Sequence, residues 1–177
     1  MKPTVVTLFL FFCLSAVSFG QRFGYIDTQV ILEKMPEYQE AEKELDRLAM
    51  NWQNEIDQMK KQLDSLKENY QAEEILLTPE LKKEYLAEIK LKEDELREFQ
   101  SNTFGYEGLL FLKRQELMKP IQDKLFKAAE KVAKQKKLSI VFDKAGDLVM
   151  LYTDPRHNYT DYVLEELGLG DPADTPR

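Results

Sequence analysis

The chain has 177 residues, with only seven glycines, one histidine and one cysteine. Leu, Lys, Glu, Gln and Ala crowd its middle, which points to a long helix or coiled coil, something more extended than one ordinary domain. The formal net charge is −7, whereas a wholesale nucleic-acid binder is expected to be basic, so nucleic acid is set aside as a partner.

Residues 1–20 read as a cleaved signal peptide. Lys2 gives a short basic start, Val5 to Val17 is almost unbroken apolar sequence, and Ser18 and Gly20 sit at the −3 and −1 positions of a cleavage before Gln21. The apolar run is too short for a membrane anchor, which needs about 20 residues. Cys13 is a poor lipidation site because Phe11 and Phe12 precede it. The cysteine therefore leaves with the leader, and the mature chain needs no disulfide and offers no thiolate nucleophile or soft metal ligand. Loss of Lys2 takes the mature charge to −8.

Phe23-Gly24-Tyr25-Ile26-Asp27 is short, aromatic and β-branched, the pattern of a strand. Asp27 and Thr28 can cap a brief helix over Gln29 to Met35, and Pro36 suits the first turn of the next one. From Tyr38 an apolar stripe runs through Ala41, Leu45, Leu48, Trp52, Ile56, Met59, Leu63, Leu66 and Tyr70. Its steps of three and four average 3.56 residues, between a strict heptad and a straight helix, and two successive four-residue steps around Trp52 resemble a stutter. This is the seam of a coiled-coil helix.

Thr78 and Pro79 end the stripe and open a second helix, through Leu81, Tyr85, Ile89, Leu96 and Phe99, which Thr103, Gly105 and Gly108 loosen. Pro120 is expected to break or kink it. Residues 36–77 and 79–119 are closely matched legs, each roughly 60 Å long as a helix, so residues 36–119 form an antiparallel helical hairpin. The helical pattern resumes through Ile121, Leu125, Ala128, Ala129 and Val132. Leu138 to Asp143 and Asp147 to Thr153 then read as strands of a β-hairpin about Lys144-Ala145-Gly146, with Gly146 available for a positive φ. Thr160 and Asp161 can cap a last short helix ending near Gly168, and residues 171–177 have the polar, Pro- and Asp-rich composition of a disordered tail. Residues 21–35 and 120–170 together make a small β-rich body, so the fold class is α+β.

Leu109-Leu110-Phe111-Leu112 is apolar on every side of its helix, more than a two-helix seam can bury. Three short strands also leave exposed sheet edges. Pairing with copies of itself meets both needs. Body and oligomer packing is expected from Tyr25, Ile26, Leu109, Leu110, Phe111, Leu112, Ile140, Val141 and Phe142.

Chemistry is sparse. His157 lies in the turn-like Asp154-Pro155-Arg156-His157-Asn158, and the chain has no nucleophile elbow, phosphate loop or metal-ligand spacing. Its carboxylates are those of a charged helix surface. The expectation is no enzyme and no cofactor. Charge is uneven: Asp27 to Phe104 carries 20 acidic and 11 basic residues, a net of −9, while Lys113 to Lys137 carries 9 basic and 3 acidic, a net of +6. The basic segment is either a solvated helix face or, through Lys124, Lys127, Lys131 and Lys134, a contact for anionic lipid head groups.

Gly24-Tyr25-Ile26-Asp27-Thr28 with Ile31-Leu32 and Met35-Pro36-Glu37-Tyr38 resembles the start of mature proteins of the OmpH/Skp family of periplasmic chaperones. Arg114-Gln115-Glu116-Leu117 with Pro120-Ile121 looks like their junction segment. Val132-Ala133-Lys134 and Val141-Phe142-Asp143 are similar to their return into the sheet, and Tyr152-Thr153-Asp154-Pro155 with Thr160-Asp161-Tyr162-Val163-Leu164 to their C-terminal end. The resemblance implies a homotrimer, with a β-barrel body built from all three subunits and helical hairpins projecting as tentacles around a cavity. It also implies a periplasmic holdase that works without ATP on unfolded outer-membrane β-barrel proteins. Well-known members are basic and this chain is acidic, a departure that weakens electrostatic capture of acidic clients along the arms. Among the apolar residues outside the seam, Met50, Leu76, Leu77 and Leu91 are the candidate client contacts. The competing reading is a structural or adaptor coiled coil of the envelope without general chaperone activity.

Overall fold

The computed structural model describes residues 21–147 and 149–170. The leader and the polar tail lie outside these residues. In chain order come β1 (Phe23–Ile26), α1 (Thr28–Lys34), α2 (Pro36–Glu73), a 3-10 turn (Glu74–Leu76), α3 (Pro79–Phe104), α4 (Leu109–Lys136), β2 (Ile140–Asp143), a second 3-10 turn (Pro155–His157) and α5 (Thr160–Glu166). The described chain divides into two compact units, residues 32–124 and residues 21–31 with 125–170.

The first unit is a helical hairpin. Along the apolar stripe Ala41, Leu45, Ile56 and Leu63 are buried, and Leu48, Trp52, Met59, Leu66 and Tyr70 are half-buried. Thr78 closes the turn as expected. Its Oγ1 accepts from the Leu81 N–H at 3.3 Å, and Pro79 occupies the first turn of α3. Pairing along the legs is antiparallel. The Tyr85 hydroxyl points to Glu73 (3.4 Å), Lys67 pairs with Glu93 (2.6 Å), Trp52 meets Phe104 edge-on at 6.3 Å, and Lys124 pairs with Glu37. Residue numbers rise on one leg as they fall on the other.

The return leg breaks at residues 105–108, not at Pro120. The Gly105 N–H bonds back to the Ser101 carbonyl, Glu107 takes φ 53°, and Gly108 bonds Gly105. A Cβ on Gly105 would lie 2.3 Å from the Ser101 oxygen, so this tight break between helices requires glycine. Pro120 instead sits inside a continuous α4. It removes one helix hydrogen bond where Glu116, Lys119 and Pro120 are all exposed and solvent can serve the orphaned carbonyl.

The second unit holds a two-stranded parallel sheet, pairing Phe23 with Ile140 through Ile26 with Asp143. The expected β-hairpin is absent: the described residues of Asp147–Thr153 form no strand, and among the described residues Gly168 (φ 75°), not Gly146, is the glycine with positive φ. The reason lies in Asp143. Its Oδ1 accepts from the Thr28 N–H (3.2 Å) and the Ala145 N–H (3.0 Å), and its Oδ2 accepts from the Thr28 hydroxyl (2.7 Å). The carboxylate that ends β2 thus ties it to the start of α1 and turns the chain away. Asp27 caps α1 through Val30 N–H (3.2 Å). The Thr160 hydroxyl, expected as a cap for α5, accepts instead from the Asp27 N–H (3.0 Å), and α5 has no side-chain cap at Tyr159. Tyr25, Ile26, Ile31, Leu125, Val132, Val163 and Leu164 form this unit's core.

Candidate functional site

No enclosed reaction centre emerges from these elements. Among the described residues no group of three or more His, Asp or Glu side chains is placed to hold a metal, and no helix is long and apolar enough to cross a membrane. His157 is exposed on the second 3-10 turn. Beside it, Arg156 forks onto Asp154 at 2.6 Å, and these bonds hold the Asp154 carboxyl down at about 2. That pair, with Asp154 also accepting the Arg156 N–H, shapes a turn.

What the structure offers is surface. Along the hairpin the expected client-contact residues Met50 and Leu91 are 66% and 56% exposed, and Leu76 is 84% exposed, while Leu77 is half-buried. Further exposed side chains missed by sequence reasoning include Ile75, Leu86 and Tyr106. Ile75 was legible in principle, since it opens the Ile75-Leu76-Leu77 run at a turn where a two-helix seam has run out. Around these residues the helix faces carry ion pairs such as Glu44 with Arg47 (2.7 Å) and Lys92 with Glu95 (2.7 Å). The hydrogen bond from Lys67 lowers the Glu93 pKa, as that from Arg47 lowers Glu44.

The expected packing residues divide. Tyr25 and Ile26 are consumed by the chain's own core, and Leu110 and Val141 are half-buried. Leu109, Phe111, Leu112, Ile140 and Phe142 stay exposed in the single chain. Beside β1, an open apolar hollow of about 750 Å³ is lined by Phe23, Phe142, Met150 and Tyr152 among others. Val149, Leu151 and Tyr152, each more than four-fifths exposed, add to this uncovered surface. The sequence reading had placed these three in a strand.

The four lysines of the basic segment are mostly engaged. Lys124 pairs with Glu37, Lys131 with Glu166 (2.6 Å) and Lys134 with Glu130 (2.5 Å). The Lys124 hydrogen bond is the main cause of a lowered Glu37 pKa. Only Lys127 of the four has no ion-pair partner among the described residues, so less free positive charge faces solvent than the sequence count implied.

Comparison with known proteins agrees with this architecture. A protein of Aquifex aeolicus (strain VF5), itself uncharacterized, is 32% identical over 154 residues, spanning 87% of this chain and 90% of that one. The crystal structure of an OmpH-like protein from Caulobacter crescentus CB15 superposes with a TM-score of 0.68 over 86% of each chain. At 14% identity that likeness is one of fold. The family model described as outer membrane protein (OmpH-like) matches residues 22–167, from the first residues of β1 to the end of α5, and the chain belongs to this family.

Proposed function

We propose that the protein is a periplasmic holdase that binds unfolded outer-membrane β-barrel proteins without ATP and keeps them from aggregating. The observation that carries this reading is the helical hairpin. Its single seam buries one face of each leg and leaves large apolar side chains (Met50, Leu86, Leu91) standing separately on a densely charged surface. Such a surface makes many weak contacts with an extended apolar chain and no tight ones, so capture and release need no nucleotide. Membership of the OmpH-like family supports the same reading.

The working form is an oligomer of the chain, a trimer by the resemblance. Its support is the uncovered apolar surface of Leu109, Phe111, Leu112, Ile140 and Phe142, which is costly to leave in water at about 25 cal/mol per Å². Head-group binding through the lysine quartet is the weaker reading, because three of the four are already paired.

The test is dilution of a urea-denatured outer-membrane β-barrel protein with and without the mature chain, in the absence of ATP. Suppressed light scattering at close to three chains per client is the expected result. Unchanged scattering across several such clients would refute the holdase and favour an adaptor coiled coil.

A further inference from the structure

The turn end of the hairpin differs from its legs. Ile75 and Leu76 lie on the 3-10 turn at 94% and 84% exposure, and Leu81 in the first turn of α3 is 43% exposed. Three aliphatic side chains thus share one end of a structure whose last fully buried seam residues are Leu63 and Ile89. Residues 68–88 around them hold six glutamates and two lysines, a net of −4. The ion pair nearest the turn is Lys67 with Glu93, and among the described residues none of Glu73, Glu74, Glu80 and Glu84 has a Lys or Arg partner. Glu73 and Glu74 are approached only by the Tyr85 and Tyr70 hydroxyls, at 3.4 and 3.5 Å.

We propose that this turn is a docking end for cationic amphipathic segments, stretches of a client chain in which large apolar residues are flanked by lysine or arginine. The aliphatic trio supplies the apolar contact. The carboxylates without a cationic partner supply selectivity, attracting basic flanks within the ~8 Å over which charge acts at physiological salt and repelling acidic ones. An anionic membrane surface is disfavoured by the same charges. Because the occupant is a client segment, the inference rests on the holdase reading and adds to it a place and a charge preference.

Three fluorescein-labelled peptides test it against the full mature chain by anisotropy: a Leu- and Phe-rich centre with lysine flanks, the same centre with glutamate flanks, and a serine centre with lysine flanks. The first is expected to bind about tenfold tighter than either of the others, a difference of about 1.4 kcal/mol, and its advantage over the second should shrink as salt rises. Ile75→Ser with Leu76→Ser should weaken the first peptide about tenfold without loss of far-UV helix signal, since both side chains are exposed. Glu→Gln at 73, 74, 80 and 84 should abolish the preference for lysine flanks. Unchanged binding in the Ser variant, or an undiminished preference in the Gln variant, overturns the proposal.

The scattering assay separates the two readings. Wild-type protection of a denatured client with no peptide preference sinks the docking end and leaves the holdase. Turn-dependent peptide binding without protection does the reverse.

Discussion

Gly24 is closely packed in β1, and adding one methyl group there gives a sharp test of how the strand is packed. A Cβ on Gly24 would lie 2.4 and 2.5 Å from Cδ2 and Cε2 of Tyr159 and 3.0 Å from a methyl of Leu138. Carbon atoms in good contact sit about 3.5–4.0 Å apart, so the Tyr159 ring must retreat by roughly 1 Å. It is not free to do so. Its N–H donates to the Tyr25 carbonyl at 2.8 Å, its ring packs on Tyr162 at 5.7 Å, and the Lys136 ammonium covers Tyr162 at 3.6 Å. Overpacking of this kind costs about 1–3 kcal/mol. Alanine recovers ~0.4–1 kcal/mol by restricting the unfolded chain. Gly24→Ala should therefore destabilise by about 1–2 kcal/mol net.

Urea denaturation at one fixed protomer concentration measures this, since association would otherwise move the midpoint. The decisive comparison is a cycle with Tyr159→Ala. With the ring gone, Gly24→Ala should become neutral or slightly stabilising, a coupling of at least ~1 kcal/mol. The same destabilisation in both backgrounds would show that the ring is not the obstacle and refute the packing described for β1.

Other outcomes follow from particular contacts. Leu63→Asp with Leu66→Asp places two carboxylates in the seam and should melt the turn half of the hairpin, seen as lost far-UV helix signal; an intact signal would count against the hairpin. Lys137 takes φ 55° just past α4, where the Leu138 N–H reaches the Ala133 carbonyl at 2.9 Å, so Lys137→Gly should stabilise by about 1 kcal/mol. An unmoved urea midpoint would contradict that. The Asp154 carboxyl, lowered from 3.8 to about 2 by Arg156, favours the folded turn above pH 4, a contribution lost as pH falls through about 2. Carboxyl NMR should place its midpoint near 2 and show it return toward the ordinary range in Arg156→Gln. The mature chain should also run above its monomer mass in light-scattering chromatography, and a strict monomer at micromolar concentration would undo the burial argument around Leu109 to Leu112.

Much of the hairpin was readable because its signals are local. A 3.56-residue period marks a seam wherever it occurs, and Thr78-Pro79 carries its own cap and first turn. The misplaced break arose from weighting proline above glycine. Proline removes one bond that water can replace on an exposed face, whereas the tight break at Gly105 forbids any side chain. The sheet was harder to read. The expected partner of Ile140–Asp143 was the segment just beyond the next turn, yet its true partner is Phe23–Ile26, 117 positions away. Nothing in either tetrapeptide encodes that pairing, nor the attachment of Asp143 to Thr28. The exposure of Ile75 at the turn and of Val149, Leu151 and Tyr152 escaped for a related reason: alternation and composition report what a segment could bury, not whether a neighbour arrives to cover it.

That parallel register also sets an order of events in folding. Residues 23 and 140 cannot meet until the chain between them has doubled back, and closing so long a loop by diffusion is slow. The hairpin contacts near Thr78 are close in sequence and can form first, zipping toward residues 37 and 124 and leaving only short stretches to close. Hairpin length is then a free variable. Removing equal heptads from both legs should leave the strand register untouched, whereas a deletion in one leg alone should stall the sheet.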